Sequence, residues 1–251
     1  LRIGKRADRI HHKLEQEALK TAKKTTIVSP TWKKDIENIG ANNVDVIYWG
    51  YDEDDFAGNN PEPDKKFSIV HAGQLGYDRR PDTFIKALGD LAKENPDLGK
   101  NLEIKFAGTV DYSIKENIIA KGLESNYISL GNIPRPEAIE LNLKSHIQLL
   151  PLNIADNAKG RIPGKLFENM RAKRPILCLG PVDSDVAGIL KNTDSGSSFD
   201  YNDENGIKLF IKDIYKKYKS GSNNVKSMNI EQFDVKKQVE KLSGFLSEIT
   251  N

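Results

Sequence analysis

The chain has 251 residues, 37% hydrophobic and 29% charged, room for one large mixed domain or one domain with part of another. Its 38 Lys and Arg against 36 Asp and Glu leave a net charge of +2, which calls for no nucleic-acid partner. A mean hydropathy of −0.56 without a long apolar run excludes a helical membrane span, and the lone Cys178 excludes a disulfide framework or a multi-cysteine zinc site. One thiol fits a reducing compartment, so a cytoplasmic location is expected. No secretory signal is visible, and a first residue of Leu1 points to a processed or truncated chain.

Residues 1–24 carry eight Lys/Arg against three acids. Such a basic helix, over about 8–23, can lie on an anionic membrane face, so peripheral association with the inner face of the plasma membrane is considered. Its apolar positions, Ile10, Leu14, Ala18 and Leu19, are few and favour a solvated face. A strand over 25–29 follows, then a helix capped by Ser29, then a strand over 44–49. From 51 to 66 the pattern stops in acids, Gly58-Asn59-Asn60-Pro61 and Pro63, which reads as a linker.

Beyond it the alternation is regular. Strands are expected over 67–72, 102–107, 127–130, 146–150, 175–179 and 197–200. Helices are expected from Pro81 to about Asn95-Pro96, then over 113–121, 136–144, 163–172, 183–190, 203–218 and 230–248. Most strands end at glycine and lead into a helix, which is the pattern of a Rossmann-like parallel sheet with helices on both faces. Ligands of such sheets bind at the C-terminal ends of the strands, so the turns at 73–80, 108–112, 131–135, 151–164 and 180–185 should share one rim.

No short catalytic motif is present, and Gly160-Arg161-Ile162-Pro163-Gly164-Lys165 lacks the spacing of a phosphate loop. His71 and His146 fall inside strands, where satisfied interior histidines are more common than ligands; no metal site is expected. What remains is a phosphate-and-ribose pattern. Gly164 lets backbone amides approach an anion at a helix start, and Lys165 and Glu168 project from one face of its first turn. Lys165 would neutralise phosphate and Glu168 would accept from vicinal hydroxyls. On spacing alone, an exposed Lys–Glu helix pair is the simpler alternative. Arg79-Arg80, after Gly73, could clamp a diphosphate or be merely solvated.

These residues, in this order, resemble the donor-binding half of bacterial GT-B glycosyltransferases of the family 4 type, in group 1. Val46-Ile47-Tyr48-Trp49-Gly50-Tyr51-Asp52 is similar to the family's "vipnGvD" segment, and His71-Ala72-Gly73-Gln74-Leu75 with Arg79 to its "hxGxLxxxR/K" turn. Leu130-Gly131-Asn132-Ile133 resembles "lGxv", and Lys165-Leu166-Phe167-Glu168 through Arg174-Pro175-Ile176-Leu177 resembles "KlfEymaxgrPil". The resemblance implies that Arg79 and Lys165 bind the diphosphate of a UDP- or GDP-sugar, with Gly164 supplying an amide, that Gly73 is also donor-binding, that Glu168 holds the ribose, and that Ile133 lies beside the base. Gly160 stands where many members have a glutamate facing the sugar, Gln74 where many have arginine, and Pro163 offers no N–H. Asp156 and Arg161, in the same loop, are candidate hexose contacts without motif support.

The resemblance also implies an organisation: 1–56 as the tail of an incomplete N-terminal acceptor domain, 57–66 as linker, 67–229 as donor-binding domain, and 230–251 as a C-terminal helix crossing back. The expected function is transfer of a hexose, with retention, to a glycan or lipid-linked saccharide acceptor in bacterial surface polysaccharide assembly. No cofactor or metal is required, and the catalytic residues are left unassigned. The chain alone should bind donor yet transfer poorly. A GT-B nucleotide-sugar epimerase and a non-catalytic nucleotide-binding module are the alternatives.

Overall fold

The computed structural model describes residues 4–222 and 227–250, which form two compact units. One runs to Gly50 and resumes at Glu231; the other spans Tyr51–Ile230.

The first unit opens with α1 (Lys5–Thr21), which buries none of its residues. β1 (Thr25–Ile27) pairs in parallel with β2 (Val44–Val46) through α2 (Pro30–Asn38). Ser29 Oγ accepts from the Trp32 N–H at 3.0 Å and Pro30 occupies the first turn, so the expected cap is present. The last helix, α10 (Val235–Thr250), belongs to this unit. Gln238 Oε1 accepts from the Tyr48 N–H at 2.9 Å, and Lys241 Nζ donates to Val46 O at 2.7 Å. Lys24 Nζ sits 4.2 Å over the Phe245 ring.

The second unit is the expected parallel sheet. β3 (Phe67–Ala72), β4 (Leu102–Ala107), β5 (Tyr127–Gly131), β6 (Ile147–Pro151), β7 (Ile176–Leu179) and β8 (Gly196–Phe199) lie in the order β5-β4-β3-β6-β7-β8, all parallel. The order reverses between β3 and β6, the switch point at which doubly wound sheets open a crevice. Alternate side chains of β3, β4 and β6 (Phe67, Ile69, Leu102, Ile104, Phe106, Ile147, Leu149) form one core with α3 (Asp82–Glu94), α5 (Tyr112–Ala120) and α9 (Glu204–Lys219). The opposite face carries α6 (Arg135–Lys144), α7 (Lys165–Arg171) and α8 (Asp185–Thr193), and Gln148 Nε2 donates across it to Asn169 O. A fully buried Phe or Leu contributes roughly 1.5–3 kcal/mol, so this core supplies most of the unit's apolar stabilisation.

Two local expectations change. Asn95-Pro96 ends α3 but also begins α4 (Pro96–Asn101): Asn95 Oδ1 accepts from the Leu98 N–H at 3.2 Å while Pro96 fills the first position. The segment read as linker is tied to the second unit. Residues Glu53–Phe56 form a 3₁₀ turn with Phe56 buried and Arg171 paired to Glu53. Further along, Asp64 pairs with Lys105 at 2.8 Å and donates its N–H to Lys144 O. These contacts belong to the second compact unit, which begins at Tyr51.

Candidate functional site

Strand ends and helix starts on the reversal side of the sheet enclose a cavity of about 540 Å³. Gly73 and Gln74 follow β3, Gly108 and Thr109 follow β4, Asn132 and Ile133 follow β5, and Arg135, Ala138, Ile139 and Asn142 come from α6. Lys165, Glu168 and Asn169 of α7 close it. Four of the sequence-derived candidates, Gly73, Ile133, Lys165 and Glu168, thus face one space.

Two glycines make that space. Gly73 has φ +133 and Gly108 φ +106, values that side chains rarely adopt. A β-carbon on Gly108 would overlap Gly73 O, and one on Gly73 would collide with Lys165 Nζ. The lysine comes in over Gly73 and donates to Ala72 O at 3.1 Å. Burial, reinforced by the Arg79 charge, brings its ammonium down to about 8. The exposed Lys165–Glu168 pair permitted by spacing is not what forms: Lys165 turns inward, and Glu168 Oε1 instead takes Arg135 Nη1 at 2.8 Å. Arg135 also grips Asp55, at 2.6 Å from Nη2 and 3.2 Å from Nε.

The remaining candidates stand apart. Arg79 is outside the cavity lining and forked onto Asp78 at 3.1 and 3.2 Å, but its charge reaches Lys165. Its hydrogen bond holds the Asp78 carboxyl below the usual range, and Asn153 Nδ2 adds a second donor. Arg80 is bound to Asp82 at 3.1 Å. Gly164 has helical φ −55, ψ −37 and does not line the cavity; its N–H and that of Lys165 precede Leu166, whose N–H goes to Pro163 O. Asp156 and Arg161 are exposed beside the 3₁₀ turn Ala158–Gly160 and do not line this cavity. Among the described residues, no group of three or more His, Cys, Asp or Glu could hold a metal ion.

Residues 52–228 match the family described as "Glycosyl transferases group 1". The chain belongs to this family of glycosyl transferases. Its fold is that of the GT-B members. A glycosyltransferase from Rickettsia africae superposes with a TM-score of 0.74 at 16% identity, over 100% of this chain and 69% of that one. Sucrose-phosphate synthase from Thermosynechococcus elongatus gives 0.71 at 12%, over 99% and 64%. HepE from Anabaena, solved with UDP and glucose, gives 0.71 at 15%, over 95% and 66%. The chain thus spans about two thirds of the length of these proteins. No curated protein matches it.

Two groups at or beside the cavity, Arg135 and His71, are not singled out as site residues by the sequence. Arg135 follows the Leu130-Gly131-Asn132-Ile133 element directly, and its place at the end of a strand on the ligand rim was an available signal. The interior histidines behave differently from each other. His146 Nδ1 accepts from the Ser68 N–H at 3.1 Å, as a satisfied core histidine should. His71 Nε2 is buried without a partner.

Proposed function

We infer that the cavity is the donor site of a hexosyltransferase, holding a nucleotide-diphosphate sugar with its diphosphate at Lys165, its ribose at Glu168 and its base beside Ile133. The observation that carries this reading is the half-buried Lys165 ammonium, drawn in over Gly73 and onto Ala72 O in a glycine-walled space. A desolvated cation there favours an anionic ligand more strongly than a hydrated surface lysine would. Arg79 adds positive potential behind it, and the amides of Gly164 and Lys165 add partial positive charge. As the bond between sugar and diphosphate breaks, these groups would stabilise the negative charge growing on the leaving diphosphate. Glu168 keeps lone pairs for hydroxyl donors while Arg135 fixes its carboxylate. Asp156 and Arg161 lie on the loop that would face the hexose.

Family resemblance supports retention at the anomeric carbon and an acceptor glycan or lipid-linked saccharide, in the assembly of bacterial surface polysaccharide. The lone cysteine and the basic α1, with Ile10 and Leu14 exposed, support a cytoplasmic site at the inner membrane face. No helix among the described residues is long and apolar enough to cross a membrane.

Calorimetric titration with UDP, GDP and uridine tests the site. Glu168→Gln keeps shape and removes charge, at a cost on the order of 1.5–3 kcal/mol, or about ten- to hundredfold in affinity. Lys165→Ala should weaken both diphosphates far more than uridine. Unchanged diphosphate binding by both variants would overturn the reading.

A further inference from the structure

Behind the cavity lies a buried group that the transfer chemistry leaves unused. His71, near the end of β3, is 2% exposed. Its Nδ1 is 2.9 Å from Leu149 O, and a carbonyl can only accept, so Nδ1 carries the proton and Nε2 is a bare acceptor. Desolvation and then the Lys165 charge, with a smaller part from Arg79, bring the ring down to about 3 against the backbone groups of Leu149 and Gln74, so it stays neutral. Nε2 has no hydrogen-bond partner, a rare state for a buried polar atom.

Gly73 brings this atom near the lysine. The point where a β-carbon would stand on Gly73 is 3.9 Å from His71 Nε2 and inside the contact radius of Lys165 Nζ. Imidazole nitrogen and ammonium thus both lie close to one point above Gly73. The charged groups acting on Lys165 are Arg79, which disfavours the ammonium, and Glu168, which favours it. Arg79 is itself tied to Asp78, and Glu168 to Arg135.

We propose that His71 is a positioning residue for Lys165: its bond to Leu149 O fixes the tautomer that turns the negative end of the imidazole toward the ammonium across Gly73. The lone pair offsets part of the desolvation of Lys165 and keeps it charged while its other N–H groups face the cavity. The carbonyl of Leu149 acts on the histidine as a carboxylate or carbonyl does on a metal-bound one, by selecting which nitrogen is bare. A β-carbon at 73 would displace the ammonium from this place. This inference rests on the donor-site reading above.

The test is the pH profile of UDP affinity, measured by calorimetry on the whole chain. Wild type should lose affinity as pH passes through about 8. His71→Phe keeps a ring and removes the lone pair, so the loss should begin about one pH unit lower, with uridine binding unmoved. His71→Gln returns an acceptor and should restore the wild-type profile. If Lys165→Ala binds UDP like wild type, the donor-site reading fails. If Lys165→Ala loses UDP but His71→Phe keeps the wild-type profile, the role of His71 fails alone. A second measurement needs no His71 variant. Nitrogen NMR of the wild-type chain should find His71 Nε2 unprotonated, and Lys165→Met should move its resonance. A protonated Nε2, or a resonance indifferent to Lys165, would overturn the proposal.

Discussion

Arg135 Nη1 lies 2.8 Å from Glu168 Oε1, while the same guanidinium binds Asp55 Oδ2 at 2.6 Å. The arginine therefore orients Glu168 from the 3₁₀ turn Glu53–Phe56 without consuming all of its lone pairs. Arg135 is more than half exposed, and exposed pairs contribute only about 0.2–1 kcal/mol. Arg135→Ala should therefore weaken UDP by no more than about fivefold, far less than Glu168→Gln. Calorimetry on the two variants side by side checks the ranking. An equal loss would mean that Arg135 itself touches the ligand.

Glycine substitutions separate site geometry from backbone strain. Gly73→Ala forces a β-carbon into Lys165 Nζ, a flexible tip that can withdraw, and holds a residue at φ +133. Strain of this kind costs on the order of 1–3 kcal/mol, and the displaced ammonium should also remove most UDP affinity. Gly122→Ala has φ +76 with nothing within 4 Å, so it should lower the melting temperature and leave UDP binding intact. Thermal melts with and without UDP distinguish the two.

The sheet was legible because its strands are short apolar runs stopped by glycine: β3 and β4 fall where the sequence places them. The site was legible only as far as motif order reaches. Lys165 and Glu168 could be named, but a spacing of three residues also fits a surface pair, and only tertiary burial turns the lysine inward. Arg135 was legible only as a rim position and His71 only as an interior histidine, since their partners Asp55, Glu168 and Leu149 come from distant segments. The tie of the expected linker to the second unit was hidden for the same reason: Asp64 meets Lys105 only once the sheet has formed.

Two buried histidines set an acid limit on stability. His71 and His146 are held near 3 and 4 by burial, whereas in the unfolded chain each takes a proton around 6.5. Below that value the unfolded state binds more protons, so stability falls as pH drops toward about 4, by up to about 1.4 kcal/mol per pH unit for each. His146→Asn keeps an acceptor for the Ser68 N–H and removes one titration. Urea melts at about pH 7 and about pH 4.5 should show a smaller loss for this variant than for wild type. An equal loss would assign the acid sensitivity to other groups.

Lys165 should make affinity and stability move in opposite directions above neutral pH. Its ammonium titrates near 8 in the folded chain and near 10.5 when unfolded. Across that window the unfolded state holds the extra proton, so the ligand-free chain gains stability as pH rises. Diphosphate affinity should fall over the same range, because the folded site is losing its cation; the ligand's own last ionisation, near about 6, is already complete. Lys165→Met should flatten both trends. Arg79→Gln should raise the midpoint, because the Arg79 charge is part of what depresses it. Denaturant melts of the ligand-free chain and UDP titrations, each run from about pH 7 to about pH 10, check the pair of slopes. A lysine hydrated at the surface would leave both flat, and a buried lysine with no part in phosphate binding would change stability while leaving affinity constant.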